Sequence, residues 1–542
     1  EHDVQITSLV EDTVNAYAFA GSVAVSGGLV AVSLSGAGVS LTNHVASEVK
    51  AYIEDSNVTA GDDVLVEALA DSHIEKASAL GLSVAAAIGI GGSVSVAVSL
   101  VENLIADVVD AHISGLSVHE INAGGSIDVI ADVLNARIEN VEAITVSTSL
   151  GLVAVSGGGV DIYNVIDNTV TADILGAIKV QATTGLSASD QVLSQEQVRE
   201  RSGTVAVFAY ENSYLEAEST NATIAIGLGA ALGVSILKNE IKSDISAGVT
   251  NANIDASWIS VQATTDAVID HTDTAAISGG LVAGAVNSSI ANIKNKVDAT
   301  VTGADLYASE EIRILADADN YARADADGAA FGLVAAGGMF SEVNMGRGNT
   351  TYEVVADLGD NTIVNTKILN VSAWSVDDIL AQTTAAGGGA VAISGADSET
   401  DSDQATLARI GDGVTVDAIT VAVVTDHFQT QDATADAYSI ALGAGTGASV
   451  DNLNTSKANI EIDGAEINAN FIIIDASNNL TKRLASGGDN LQSGSVGGIT
   501  VADLQSDSQF GSTSNKFQAK VDIINGASLT ALGDNSTPAI LQ

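Results

Sequence analysis

The chain has 542 residues, 46% of them hydrophobic but only 4% aromatic, with 53 glycines, one proline (Pro538) and no cysteine. Its 68 acidic and 20 basic residues leave a net charge of -48, which excludes nucleic acid as a natural partner, because a phosphate backbone would be repelled, and disfavours anionic lipid surfaces. With so few large side chains the interior must be built from Ala, Val, Ile, Ser and Gly, and no disulfide is present to staple small separate domains.

Along the chain one pattern returns nine times: a charge-free Ala/Gly/Val/Ser run, an Ala-x-Ile-like anchor, a Gly or Asn turn, then an Ile-x-Val-x-Ala strand. The chain opens in mid-repeat, since Asp3-Val4-Gln5-Ile6-Thr7-Ser8 matches Asp63-Val64-Leu65-Val66-Glu67-Ala68. Anchors follow at Ala51-Tyr52-Ile53, Ala111-His112-Ile113, Ala172-Asp173-Ile174, Ala299-Thr300-Val301, Ala356-Asp357-Leu358, Ala408-Arg409-Ile410 and Ala519-Lys520-Val521, with looser copies at Ile245 and Ile462. Their spacing is roughly 60 residues. Second strands read as Ile178-Lys179-Val180-Gln181-Ala182, Ile259-Ser260-Val261-Gln262-Ala263 and Ile312-Arg313-Ile314-Leu315-Ala316.

Apolar residues at every second position predict strands with one buried face, where a helix would need spacings of three and four. No Pro/Gly-rich linker separates the repeats. The prediction is therefore an all-β, parallel β-solenoid of about nine repeats, with residues 1–542 forming a single continuous array. At one coil per repeat the array would be about 43 Å long, and two coils would double that.

The charge-free runs include 13–47 (interrupted by His44), 77–101, 143–160, 219–237 and 274–293. The run 77–101 is long enough to cross a bilayer, but its Gly, Ser and β-branched content disfavours a helix. Several of the runs are too short to span, and the aromatic girdles of a membrane barrel are missing. The runs are expected to be buried solenoid strands, with no membrane insertion. Residues 184–203, polar and containing Gln191-Val192-Leu193-Ser194-Gln195-Glu196, read as an irregular surface insertion.

Site chemistry is sparse. The histidines His2, His44, His73, His112, His119, His271 and His427 lack metal or catalytic spacing and are expected to be mostly exposed strand or turn residues. No nucleophile elbow or phosphate loop is present, and no enzymatic activity is expected. The best acidic cluster holds Asp317, Asp319, Asp325 and Asp327, and a second row holds Asp397, Glu399, Asp401 and Asp403. On extended strands these fall in same-face pairs of hard oxygen ligands, so calcium binding is one reading and a solvated acidic face the other. A polysaccharide-cleaving site would need sugar-binding groups beyond Tyr321 and Arg323.

The alternation of Gly27-Gly28-Leu29-Val30-Ala31-Val32 with segments such as Asn164-Val165-Ile166-Asp167-Asn168-Thr169-Val170-Thr171-Ala172-Asp173-Ile174 resembles the repeat regions of giant secreted bacterial surface proteins of the filamentous-adhesin and leukotoxin type. That resemblance implies an extracellular or cell-surface stalk, fibre or adhesin without catalytic residues. The termini carry apparent half-repeats at 1–12 and 520–542: Leu529-Thr530-Ala531 matches Val58-Thr59-Ala60, and the strand due next is replaced by Asn535-Ser536-Thr537-Pro538. The expectation is a structural subunit or shaft of an extracellular filament, fibre or sheath. Copies would join head to tail by β-strand addition through Val4, Ile6, Leu529 and Ala531. A monomeric adhesin stalk that binds a surface or glycan is the alternative.

Overall fold

A computed structural model describes residues 3–182, 203–348, 352–482, 491–511, 516–531 and 540–541. Twenty-nine strands form one sheet system in which every pairing is parallel, and no helix occurs among the described residues. The column Val4, Val64, Ile127, Val205, Ile259, Ile312, Leu369, Val421, Ile472 runs in register through the stack, so that nine coil levels follow one another among the described residues. The expected insertion at 184–203 lies almost wholly outside the described residues, between Ala182 and Gly203 in the third coil.

Each coil follows the same path. A long outgoing arm, such as Val64–Ile88, reaches a glycine-rich tip, and a return arm, such as Ile90–Ile105, runs back beside it. An anchor strand, a turn and a short strand then close the coil, as in Glu48–Glu54 and Val58–Ala60. The turn after the anchor needs a left-handed residue, and Asn251, Gly303, Asn361, Gly413, Gly464 and Asn525 supply it with φ between 53° and 70°. The Gly or Asn turn of the sequence pattern is this bend.

Where the arms meet the anchor and short strand, the coil encloses an aliphatic core. Val64, Val66, Ile74, Ile105, Val109, Ile113 and Ile121 are all fully buried there. Beyond this body the two arms continue as a thin double layer, called the blade below. Hydroxyls of one arm reach carbonyls of the other: Ser33 Oγ donates to Ala24 O at 2.6 Å, Ser95 Oγ to Ser83 O at 2.9 Å and Ser156 Oγ to Ser147 O at 2.7 Å. Two sheets bridged by a serine side chain leave no room between them for Leu or Ile.

Three readings of the sequence need correction. The second strands are two different columns: Val180 lies with Ile121 and Ile254 in the short strand, whereas Ile259 and Ile312 begin outgoing arms. The anchors at Ile245 and Val521 are out of register, because Val249 aligns with Ile174 and Ile523 with Ile462. At the C-terminal end, Leu529 does align with Ile467, but Ile540–Leu541 pairs with Phe471 and Ile472 and so occupies the start of the strand position expected to be vacant after Ala531.

Candidate functional site

The blade is inverted relative to the body. Its inward positions hold small residues and a chain of serine hydroxyls: Ser35 donates to Ser22 at 3.0 Å, Ser83 to Ser35 at 3.0 Å, Ser95 to Ser83 at 2.8 Å, Ser147 to Ser95 at 3.0 Å and Ser156 to Ser147 at 3.0 Å. At its base Asn43, Asn103, Asn164 and Asn239 pass side-chain amide bonds from coil to coil at 2.7–2.8 Å. These polar groups are buried but paired, which removes most of the desolvation penalty.

Toward the tip the large aliphatic residues of the charge-free runs point outward, whereas Val45, Val101, Leu237 and Ile293, near the body, are buried. This corrects the expectation that the runs are buried strands: only alternate residues are, and the exposed ones are Val, Ile, Leu and Phe. Leu29 is 88% exposed, Val32 67%, Ile90 66%, Leu232 54% and Ile393 60%. Between the two end coils these strands are paired on both sides, and tip backbone bonds such as Val282 N to Gly229 O and Val334 N to Leu281 O continue the ladder. The tip itself requires glycine. A Cβ on Gly89 would lie 2.0 Å from Gly28 O, and one on Gly389 would lie 1.7 Å from Gly332 O.

On the return arm the outward side chains form continuous rows. One row is Leu34, Val94, Val155, Ala230, Val282, Val334, Val391, Gly443, Ile499, apolar in every coil. Two residues further from the tip the row reads Gly36, Val96, Gly157, Leu232, Gly284, Ala336, Ile393, Gly445, Val501, so large and small positions interleave down the stack. Near the C-terminal end, Gly338, Gly395 and Gly447 floor a shallow groove beside Phe340. No helix among the described residues is long and apolar enough to cross a membrane.

The acidic residues singled out from the sequence sit on the outward faces of the arms below the blade. Asp317 is pushed up to about 6, by burial first and the neighbouring Asp319 second. Asp319 is raised by burial, then by Asp266 on the preceding coil. Asp325 is bound by Arg323 at 2.6 Å, and burial also raises Asp327. In the second row Asp401 rises to about 6 through burial, Asp403 and Glu342, and Glu399 is raised by burial and by Glu342, its register neighbour. Asp397 and Asp403 are raised too, chiefly by burial. Among the described residues no three His, Asp or Glu side chains converge in a metal-holding group, so the calcium candidates form rows and pairs along the strands.

One histidine departs from expectation. His427 is fully buried, with Nε2 2.8 Å from Asp377 Oδ2 and Nδ1 2.9 Å from Asn478 Oδ1, while Asn320 Nδ2 donates to Asp377 Oδ1 at 2.8 Å. It shares the strand parity of Val421 and Val423, which was the available signal that it faces inward. Sealed from solvent, this network ties four consecutive coils together and offers nothing to a substrate. His112, by contrast, stacks on Tyr52 at 5.1 Å beside a shallow open groove lined by Lys50, Asp110, Thr171 and Asp173.

No protein-family profile, curated protein or solved structure matches the chain, so its geometry carries the functional reading.

Proposed function

We propose that this chain is the shaft or structural subunit of an extracellular filament, fibre or sheath, and that it works as a surface, without catalysis. The observation that carries this is the unbroken register of the return arms: their outward rows continue from coil to coil through the stack, and such a one-dimensional stack extends by adding coils without changing its surface. The extracellular placement rests on the resemblance to secreted surface-protein repeats and on the acidic coat, which keeps such bodies apart.

The first-coil arm Val4–Val45 pairs only with Val64–Ile105, and the last-coil arm Ile499–Phe510 only with the coil before it. Among the described residues both therefore present free edges at opposite ends of the stack. Strand addition between copies would join these edges into a filament that does not close on itself. Because Ile540–Leu541 already takes the position of Asp3–Val4, the joining strand would begin at Ile6, opposite Ile474. Deleting residues 3–8 should leave a folded array that no longer polymerises, read by electron microscopy and sedimentation. Unchanged filaments from the truncated chain would remove this mode of joining.

A monomeric adhesin stalk is the second reading. It is favoured by the groove beside His112, where a stacked ring pair and charged side chains offer the mixed surface that glycans contact. Saturable glycan binding abolished by Tyr52→Ala, in a chain that stays monomeric, would favour it over the filament.

A further inference from the structure

We infer that the apex of the blade, with the two outward faces beside it, is a seat for one leaflet of a neutral, zwitterionic lipid layer. The argument starts at the tip. A Cβ on Gly89, Gly227, Gly332, Gly389 or Gly497 would run into the apex carbonyl of the preceding coil, so these apex positions form one tight column. Large apolar residues flank that column: Ile88, Ile226 and Phe331 before the apex, Leu228, Leu333 and Leu442 after it, each more than half exposed. The result is a convex ridge along the stack. Behind it the outgoing face continues with the row from Val23 through Ile224 and Phe331 to Val496, and the return face with the row from Leu34 to Ile499. Neither row holds a charged residue in any coil. A protein surface laid on one arm leaves the ridge and the other arm uncovered, whereas a fluid acyl layer covers all three at once.

Depth and charge point to the same occupant. The charged residues nearest an apex are Asp327 and Asp436, five residues away, and Asp503, six residues away. At about 3.3 Å per residue, the uncharged zone is about 16 Å deep where it is shallowest. An interfacial element sinks about 5–10 Å into the headgroup/acyl boundary, and the headgroup layer adds about 5–7 Å. The ridge therefore enters the acyl chains while these carboxylates stop at the outer surface of the headgroups. In phosphatidylcholine the quaternary ammonium lies there and complements them, whereas an anionic leaflet is repelled by the net charge of -48. Between the end coils the strands are paired on both sides, and hydroxyls such as Ser83 and Ser95 are bonded inside the blade, so insertion strips no water from them. Spanning a bilayer would require a helix or a closed barrel; a ridge lying in one leaflet needs neither. The seat runs along the side of the stack, so it stands or falls apart from head-to-tail joining.

Vesicle flotation tests the seat directly. The full chain should float with phosphatidylcholine vesicles, and at least about tenfold less with phosphatidylglycerol vesicles at low salt. The double variant Leu228→Lys/Leu333→Lys should lose flotation while keeping its melting temperature, because both side chains already face solvent. The chain contains no cysteine, so Leu333→Cys places a single environment-sensitive dye on the ridge. Its emission should shift to the blue on phosphatidylcholine, whereas the same dye on Tyr307→Cys, exposed on a short strand of the body, should not respond. Deletion of residues 3–8 should leave flotation intact, so failure of the filament reading and failure of this one are distinguishable. A parent chain that does not float with phosphatidylcholine overturns the inference, as does flotation unchanged in the double lysine variant or stronger on phosphatidylglycerol. Lipid-free self-association lost in that variant, with no flotation of the parent, would overturn it in favour of a second copy.

Discussion

The body and the blade are made by the same strands, with the same alternation and the same pairing, yet they bury opposite kinds of residue. In the body Ile74, Ile105 and Ile113 face inward and most Lys, Asp and Glu face outward, with Glu211, Glu353 and Asp377 the buried exceptions. A few residues further along the same arm Ser83 and Ala85 face inward and Ile88 and Ile90 face out. The separation of the sheets makes the difference: the anchor and short strand prop the body open, whereas in the blade the arms close to the reach of one hydroxyl. Hydrophobic burial is thus subordinate to volume, and the blade leaves its aliphatic residues for something else to cover.

The largest effect should come from cutting the propped core. Ile113→Ala removes a fully buried side chain of the body core and should cost about 2–5 kcal/mol by chemical denaturation, while Leu232→Ala on the blade should change monomer stability by less than about 0.5 kcal/mol. Equal losses would erase the distinction between the regions.

Enlarging the blade interior comes next. Ser83→Leu must force the arms apart and removes the hydroxyl that donates to Ser35 and accepts from Ser95, so a loss of about 1–3 kcal/mol is expected; the same leucine placed outward at Ser99's neighbour Val98 should be tolerated. A Ser83→Leu variant as stable as the parent would mean that the sheets are not held by volume.

A smaller effect concerns pH and belongs to the body and arm bases. Asp173, Asp273, Asp317 and Asp401 are raised to about 6, and Glu211 and Glu353 to about 7, with burial the first cause in each case. A carboxyl raised in the folded state holds its proton longer than in the unfolded chain. Its contribution is therefore fully present below about pH 4 and is lost as pH rises through 6 to 7. The melting temperature should rise on acidification from pH 7.5 to 5. A fall over that interval would contradict the burial of these groups.

The smallest effect should be that of calcium. Rows of paired carboxylates without a converging third ligand attract divalent ions by charge alone, so Ca²⁺ and Mg²⁺ should raise the melting temperature equally at low ionic strength and hardly at all at 0.15 M salt. Saturable calorimetric binding selective for Ca²⁺ would show a built site among Asp317, Asp319, Asp325, Asp327 or the row from Asp397 to Asp403.

Much of the coil is written in local chemistry. Alternation gives strands, Asn or Gly after the anchor gives the left-handed turn, and equal repeat spacing stacks Ala51 on Ala111 and Ala172 because a parallel coil must return to the same column. The acidic surface follows from composition alone. Register was less legible at Ile245 and Val521, since alternate positions hold interchangeable aliphatics and an even slip, four residues at Ile245 and two at Val521, keeps the pattern.

What the sequence could not assign is which parity of the charge-free runs faces inward. Both parities are uncharged there, and hydrophobicity alone places Val23, Val32 and Ile90 inside and Ser22, Ser33 and Ser83 outside. Only the closing distance of the two arms reverses that choice. The distance is set by tip glycines packed against the carbonyls of the preceding coil and by hydroxyls bridging one arm to the other, contacts between residues that become neighbours only once the coils have stacked.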